Sequence, residues 1–331
     1  MINYQRGFLL EKHCSIIMYH YVRELPYTRY PQINGLKTSL FLEQLLYFKR
    51  HYHFVTHRDI IAAIYEGKDL PENAVWLTFD DAYCDHYTNV FPILDKMGIV
   101  GAFFPPIKAI INHEVLDVNK IHFILASIQD MKTLLTDVRT LIDNFKEDYS
   151  LESYEYYWQK LAKPNRFDSS EVIFFKRLLQ VELNQECRRK MINSLFQKYV
   201  TDNEAAFSRE LYMNKDQMEC MLRHGMCIGS HGYDHYWLDS LTPERQVEEI
   251  DSSLDFLKYI GVDIDAWIMC YPYGASNESL LRIIKERGCL LGLTTEVRIA
   301  NMATDNPFLL PRLDTNDFPK DRDGYFQQKG R

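Results

Sequence analysis

Two short apolar runs in this chain end abruptly at polar clusters, and no other feature constrains the fold as much. Residues 74–79 read Ala-Val-Trp-Leu-Thr-Phe and end at Asp80-Asp81. Residues 226–229 read Met-Cys-Ile-Gly and end at Ser230-His231, with His235 shortly after. Runs of this length with such sharp borders are those of buried strands. Helical spacings fall between runs of this kind, and strand–helix alternation implies parallel strands joined by helical crossovers. Polar residues at the strand ends then share one end of the sheet, where loops aim side chains at a pocket from a rigid base. One carboxylate and two imidazoles suit a divalent cation with an open coordination position. The other carboxylate is left over as a candidate base. Taken singly, each cluster also fits a plainer role: Asp80 and Asp81 as turn and cap residues, His231 and His235 as hydrogen-bonded loop residues.

The alternation can be followed along the chain. Strands are expected at 15–22, 75–79, 100–104, 226–229, 266–270 and 289–294, with 309–313 as the last. Helices are expected at 41–51 with Ser39 as cap, at 59–66 ended by Gly67, and at 87–96 ended by Gly98. Three more are expected at 215–224, 243–260 and 277–287. In between, the pattern breaks. Residues 119–145 place Ile121, Ile124, Leu125, Ile128, Met131, Leu134 and Leu135 in steps of three and four, which reads as one long amphipathic helix. Residues 171–183 and 186–199 read as two more. The expectation is one domain over residues 1–331 with a helical insertion at 107–210, acting as a lid, a docking face or simple packing.

Composition narrows the function classes. With 331 residues, 46% of them apolar, the chain can bury a sizeable core. The net charge of −8 and the lack of a long basic block argue against nucleic acid as a partner. Seven cysteines, an odd number without a C-x-x-C spacing, fit free thiols in a reducing compartment. The apolar patch Phe8-Leu9-Leu10 is interrupted by Glu11, Lys12 and His13, unlike a secretory signal. No run reaches the roughly 18 apolar residues of a spanning helix. A cytoplasmic protein without a transmembrane segment is expected.

Four motifs in order now resemble those of a known family. Thr78-Phe79-Asp80-Asp81-Ala82-Tyr83 resembles the T-F-D-D-G motif of the polysaccharide deacetylases, the chitin-deacetylase-like carbohydrate esterases. Ser230-His231-Gly232-Tyr233-Asp234-His235 is similar to their S-H-[ST]-x-x-H motif. Tyr271-Pro272-Tyr273-Gly274 and Met18-Tyr19-His20 are similar to the forms seen in the poly-N-acetylglucosamine deacetylase branch. The likeness covers roughly residues 15–106 and 211–315 and leaves the insertion unexplained.

The resemblance implies an α/β fold, a distorted (β/α) barrel of about seven parallel strands. It implies a divalent metal, usually zinc, on Asp81, His231 and His235, with Asp80 as general base. It further implies the backbone N–H of Tyr273 as oxyanion donor, with Tyr271 and Pro272 beside the substrate. The chemistry is coherent: a cation polarises an acyl carbonyl and acidifies water, and a carboxylate takes the proton. Adjacent residues of an extended strand point to opposite faces, so a turn directly after the strand is needed to bring Asp80 and Asp81 to one pocket. Three departures stand out. Ala82 replaces a glycine, Gly232 replaces a Ser/Thr, and the late L-x-H that supplies the general acid is absent. The corresponding stretch reads Leu310-Pro311-Arg312-Leu313-Asp314. His20 is then the candidate pocket histidine. Arg312 and Asp314 stand as substrate contacts or as an ion pair with each other. The expected function is metal-dependent removal of an acetyl or formyl group from an amino-sugar nitrogen of a glycan. The alternatives are an O-acetyl esterase, an amidohydrolase on a non-sugar amide, or a non-catalytic glycan-binding relative.

Overall fold

The computed structural model describes residues 12–164 and 168–324, so the apolar patch at 8–10 lies outside the described residues. The strands are β1 (His13–Tyr19), β2 (His53–Phe54), β3 (Ala74–Asp80), β4 (Ala102–Phe104), β5 (Cys227–Ile228), β6 (Trp267–Cys270), β7 (Cys289–Leu293), β8 (Ala300–Asn301) and β9 (Leu313–Asp314). β3 is buried along its whole length, as its unbroken apolar run requires of a central parallel strand. It pairs in parallel with β1, from Cys14 opposite Ala74 to Tyr19 opposite Phe79. On its other side lies β4, followed by β5. A parallel bridge from Ser230 to Met269 leads on to β6, which pairs with β7. A second bridge, Leu293 to Leu310, and the pairing of β9 with β1 complete the path. Every step is parallel, and the path returns to β1 after seven positions: the expected distorted (β/α) barrel. β2 lies beside the start of β3, and β8 pairs antiparallel with β1.

The crossovers are helices at Thr38–His51, His57–Tyr65, Phe91–Met97, Lys215–Arg223, Pro243–Tyr259 and Glu278–Glu286. Their ends follow local chemistry. Thr56 and Asp59 form a capping box at His57, and Gly98 closes its helix at φ 68°. Ser39 is not a cap; it lies inside the helix, which Lys37 precedes without a side-chain bond. The expected helix at 87–96 begins with a π turn, His86–Val90. Alternate residues of successive strands, among them Ile16, Trp76, Phe104, Ile268 and Leu291, form one cluster with Leu310. Burying an apolar side chain of this size stabilises by about 1.5–3 kcal/mol relative to exposure.

The described residues divide into two compact units. One is the barrel. The other comprises Leu25–Asn34 and Asn112–Ser208, so it takes in a segment far from the rest in sequence. The helix expected over 119–145 is two helices, Asp117–Ser127 and Met131–Tyr149. The break has a cause: the Asp130 carboxylate accepts from the N–H groups of Lys132 and Thr133 and starts a new helix. Helices Tyr154–Leu161, Ser170–Arg177 and Gln185–Tyr199 follow. Phe123, Phe196 and Phe207 meet edge to face inside this unit, with Tyr30 against Phe123 and Phe207. No described helix is long and apolar enough to cross a membrane. All seven cysteines are free thiols.

Candidate active site

Because the barrel strands run parallel, the residues at and just after the ends of β1, β3, β5 and β6 share one end. These are His20, Asp80-Asp81, Ser230-His231 and Tyr271-Pro272. Close approach of β5 to β6 depends on Gly229: a Cβ there would stand 2.6 Å from the Ile268 carbonyl oxygen and from the Phe104 ring. The chain leaves β3 at once, because Asp81 and Ala82 adopt φ 71° and 49°. This is the turn that lets two successive carboxylates serve one pocket, and it explains the glycine usual at the position of Ala82. A left-handed alanine costs roughly 1–2 kcal/mol. Burial of its methyl, about 0.8 kcal/mol, offsets part of that.

Asp81 lies opposite both histidines. Its Oδ1 is 3.5 Å from His231 Nε2 and 3.4 Å from His235 Nε2. One ligand atom from each residue lies within 4.8 Å of those of the other two. Oδ1 is buried and accepts no hydrogen bond among the described residues, whereas Oδ2 accepts from the Tyr83 hydroxyl at 2.5 Å. His231 Nδ1 donates to the Cys270 carbonyl oxygen at 2.7 Å, which turns Nε2 toward Asp81. A buried carboxylate oxygen that accepts no hydrogen bond is costly. A divalent cation would satisfy it, so this donor set fits one. The surroundings favour positive charge here. Burial opposes a charged His231, but Cys270, the contact with Asp81 and the charge of Asp80 together hold its pKa well above the ordinary range. Burial lowers that of His235.

Asp80 is held differently. Arg312 donates to both its oxygens, Nη1 to Oδ1 and Nη2 to Oδ2, each at 2.8 Å. The guanidinium also bonds the Thr294 carbonyl oxygen and Thr78 Oγ1. The Cys270 thiol lies 3.4 Å from Asp80 Oδ1. Burial alone would raise the Asp80 pKa; the charge and hydrogen bonds of Arg312, with His231 and His20, hold it well below the carboxylate range. His20 Nε2 stands 4.0 Å from Asp80 Oδ2, with 42% of its side chain exposed.

Several expected positions turn out otherwise. Arg312 does not pair with Asp314: its fully buried side chain points to Asp80, so it positions that carboxylate and does not present itself to a substrate. Asp314 instead caps the turn Thr315–Asp317. Tyr271 is fully buried and its hydroxyl donates to the Phe308 carbonyl oxygen, which makes it a packing residue. Pro272 is buried and opens the turn Pro272–Gly274, in which Tyr273 takes φ 59°. The Tyr273 ring meets His235 edge-on at 4.9 Å. His86 is buried against Phe79 and Phe103, its Nε2 donating to the His20 carbonyl oxygen, and Asp85 pairs with Arg23.

The hydroxyl lost at Gly232 is replaced from elsewhere. Gly232 has φ 74°, a conformation a Ser or Thr would resist. Its N–H donates to Ser230 Oγ, and Glu249 Oε2 accepts from the N–H groups of Tyr233 and Asp234 at 3.0 and 2.9 Å. Glu249, Tyr83 and the Cys270 thiol are supports that motif reading missed. Only Tyr83 carried a signal, because it belongs to the same hexapeptide as the two aspartates.

Parallel strands that carry two carboxylates and two imidazoles at their carboxyl ends have the layout of a (β/α)-type enzyme. The sequence model of the polysaccharide deacetylase family matches residues 67–131 and 191–291, and the chain belongs to that family. The chain is 47% identical over 72 residues to the poly-β-1,6-N-acetyl-D-glucosamine N-deacetylase of Escherichia coli (strain K12). It is 34% identical over 85 residues to YxkH of Bacillus subtilis (strain 168), which is named for polysaccharide deacetylation. The first match spans 22% of this chain and 11% of the relative, the second 26% and 30%. Among solved structures, the Streptococcus pyogenes deacetylase PplD in complex with acetate superposes with a TM-score of 0.55 at 18% identity, over 91% of this chain and 92% of that one. IcaB from Ammonifex degensii superposes with 0.53 at 19%, over 92% and 91%. At these identities the structural likeness shows the fold.

Proposed function

We propose that this protein is a metal-dependent hydrolase that removes an N-acyl group, acetyl or formyl, from an amino-sugar unit of a glycan. The observation that carries the proposal is the pairing of two unlike carboxylates: Asp80 clamped as an anion by Arg312, and Asp81 with an unbonded oxygen facing two imidazoles. Family membership and the stretch shared with the N-deacetylase support the substrate class.

Asp81, His231 and His235 would hold the ion. When bound, a divalent cation there supplies Lewis acidity to the acyl carbonyl and lowers the pKa of water. Asp80 accepts the proton that water loses as its oxygen attacks the acyl carbon. Arg312 keeps that carboxylate charged and fixed, so the base is ready at neutral pH. The backbone N–H of Tyr273 is assigned to the oxyanion. As the C–N bond breaks, the leaving amine takes a proton from His20, beside Asp80, in place of the absent late histidine.

Acetate release from a β-1,6-linked N-acetylglucosamine tetramer, with Zn²⁺ or Co²⁺ supplied, tests the proposal. Wild type is expected to release acetate, and Asp80→Asn to fall by about 10²–10⁴-fold. Equal turnover by the two proteins removes Asp80 from its role. An O-acetylated sugar assayed in parallel separates amide from ester hydrolysis. Asp81→Ala and His231→Ala are each expected to carry no zinc after dialysis, measured by elemental analysis; full occupancy in both would overturn the ligand assignment.

A further inference from the structure

Trp237 is one of the few large apolar side chains left open on the barrel unit, with 37% of its surface exposed. Its loop is not slack. The Trp237 carbonyl oxygen accepts from Ser240 N and Oγ at 3.0 and 2.6 Å. Leu238, next in the chain, is fully buried, and its carbonyl oxygen accepts from the buried Gln246 side chain at 2.8 Å. Asn277 donates to the Asp239 carbonyl oxygen at 3.2 Å. An indole fixed this firmly keeps one orientation toward solvent, so it needs no reordering to receive a ligand.

The indole also has a defined orientation. It lies flat on Tyr273, centroids 4.4 Å apart and planes 4° from parallel. Tyr273 in turn meets His235 edge-on at 4.9 Å. The rings of His235, Tyr273 and Trp237 thus form a stepped aromatic wall leading out from the candidate metal ligands. One end of the wall is at the reacting centre and the other is open to solvent.

We propose that Trp237 is a sugar-stacking platform that receives the pyranose unit next to the one being deacylated. The inference rests on the function proposed above and adds the group that selects a polymeric substrate. A pyranose ring presents C–H groups on its flat face and hydroxyls around its edge. The indole matches the face by dispersion and apolar burial and leaves the hydroxyls in water. The Tyr273 ring stands between His235 and Trp237, so the proposed platform serves a unit linked beyond the reacting one. Trp237 therefore acts on binding of oligomers and not on the chemical step.

The test measures binding and turnover separately, with the β-1,6-linked N-acetylglucosamine tetramer as the sugar probe and vinyl acetate as a ring-free acyl donor. In calorimetric titration, Trp237→Ala is expected to bind the tetramer about tenfold more weakly than wild type, and Trp237→Phe to recover most of the affinity. In turnover, the ratio of kcat/KM for the tetramer to that for vinyl acetate is expected to fall about tenfold in Trp237→Ala, through KM. Wild type that deacetylates the tetramer while Trp237→Ala keeps its KM overturns the platform and leaves the proposed function standing. Wild type that binds the tetramer through Trp237 without releasing acetate keeps the platform and overturns the hydrolase. Absence of tetramer binding by wild type overturns the platform.

Discussion

The Asp80 side of the site and the Asp81 side are joined by one peptide bond and built on opposite principles. At Asp80 both oxygens have donors, from a guanidinium that is itself wholly buried. At Asp81 only Oδ2 has a donor, and Oδ1 faces two imidazole nitrogens that the structure holds in place through Cys270 and the loop at 230–235. Both carboxylates are buried, so each must meet the same desolvation penalty. On one side the protein supplies the compensating charge permanently. On the other it supplies geometry, and under the proposed function a bound ion would bring the charge. A base must stay anionic without being coordinated, whereas a ligand must be free to coordinate, and the two arrangements separate those needs within two residues.

The largest expected effect comes from removing the permanent charge. Arg312→Met leaves Asp80 buried and unpaired, which should lower unfolding stability by about 3–5 kcal/mol. Adding Asp80→Asn removes the stranded charge, so the double variant should be less destabilised than the sum of the two. The pH dependence has a definite sign. In wild type the folded pKa of Asp80 lies below its ordinary value of 3.8. The pair therefore stabilises fully above that pH, and the contribution is lost as pH falls through the lower folded value. Without Arg312, burial is the dominant influence and raises the pKa, so the acid limb of kcat/KM should move to higher pH. Urea unfolding and a pH–rate profile check this; wild-type stability in Arg312→Met would erase the distinction between the two sides.

A smaller effect is expected on the Asp81 side, where the support is a loop and not a charge pair. Glu249 Oε2 holds the N–H groups of Tyr233 and Asp234, between the two histidines. Glu249→Ala should cost about 1.5–3 kcal/mol in unfolding stability and weaken zinc binding, while leaving the acid limb set by Asp80 in place. Glu249→Gln keeps an acceptor and should recover most of the loss. Calorimetric zinc titration with the same pH–rate profile distinguishes the sides: a shifted acid limb in Glu249→Ala would show that they are not independent.

The two sides also differ in how far sequence disclosed them. Asp80, Asp81, His231 and His235 were legible because they lie at or just after the ends of two apolar runs that read as buried strands, and parallel strands bring such ends together. The partner of Asp80 was not. Arg312 lies 232 positions away, and pairing it with its near neighbour Asp314 is the natural local assumption. Only closure of the barrel by the stretch 310–314 against β1 puts that guanidinium inside. Helix 119–145 shows the converse error. Ile128 and Met131 keep the three–four spacing across a real break, because both helices bury the same kind of face, while the Asp130 cap that divides them is a single polar residue. Residues 25–34 carry no periodicity, so nothing in them pointed to the helical unit they join.

The smallest expected effect isolates the oxygen that Asp81 does not offer to the histidines. Tyr83 donates to Oδ2 and is itself stacked on Tyr21, with centroids 4.0 Å apart. Tyr83→Phe keeps the ring and its stacking but removes the donor. Asp81 is then free to turn, and the Oδ1 position that both imidazoles address is no longer fixed. Loss of a hydrogen bond to a ligating carboxylate typically weakens metal binding by about 10–100-fold; the lower end is expected here, because the backbone turn at Asp81 and Ala82 still orients the side chain. Zinc affinity measured by competition with a chelator reads this directly, without reference to turnover. The acid limb of the rate profile should not move, since Arg312 continues to hold Asp80. Zinc affinity equal to wild type would mean that the backbone turn alone places Asp81, and the hydroxyl of Tyr83 would then belong to packing and not to the ion.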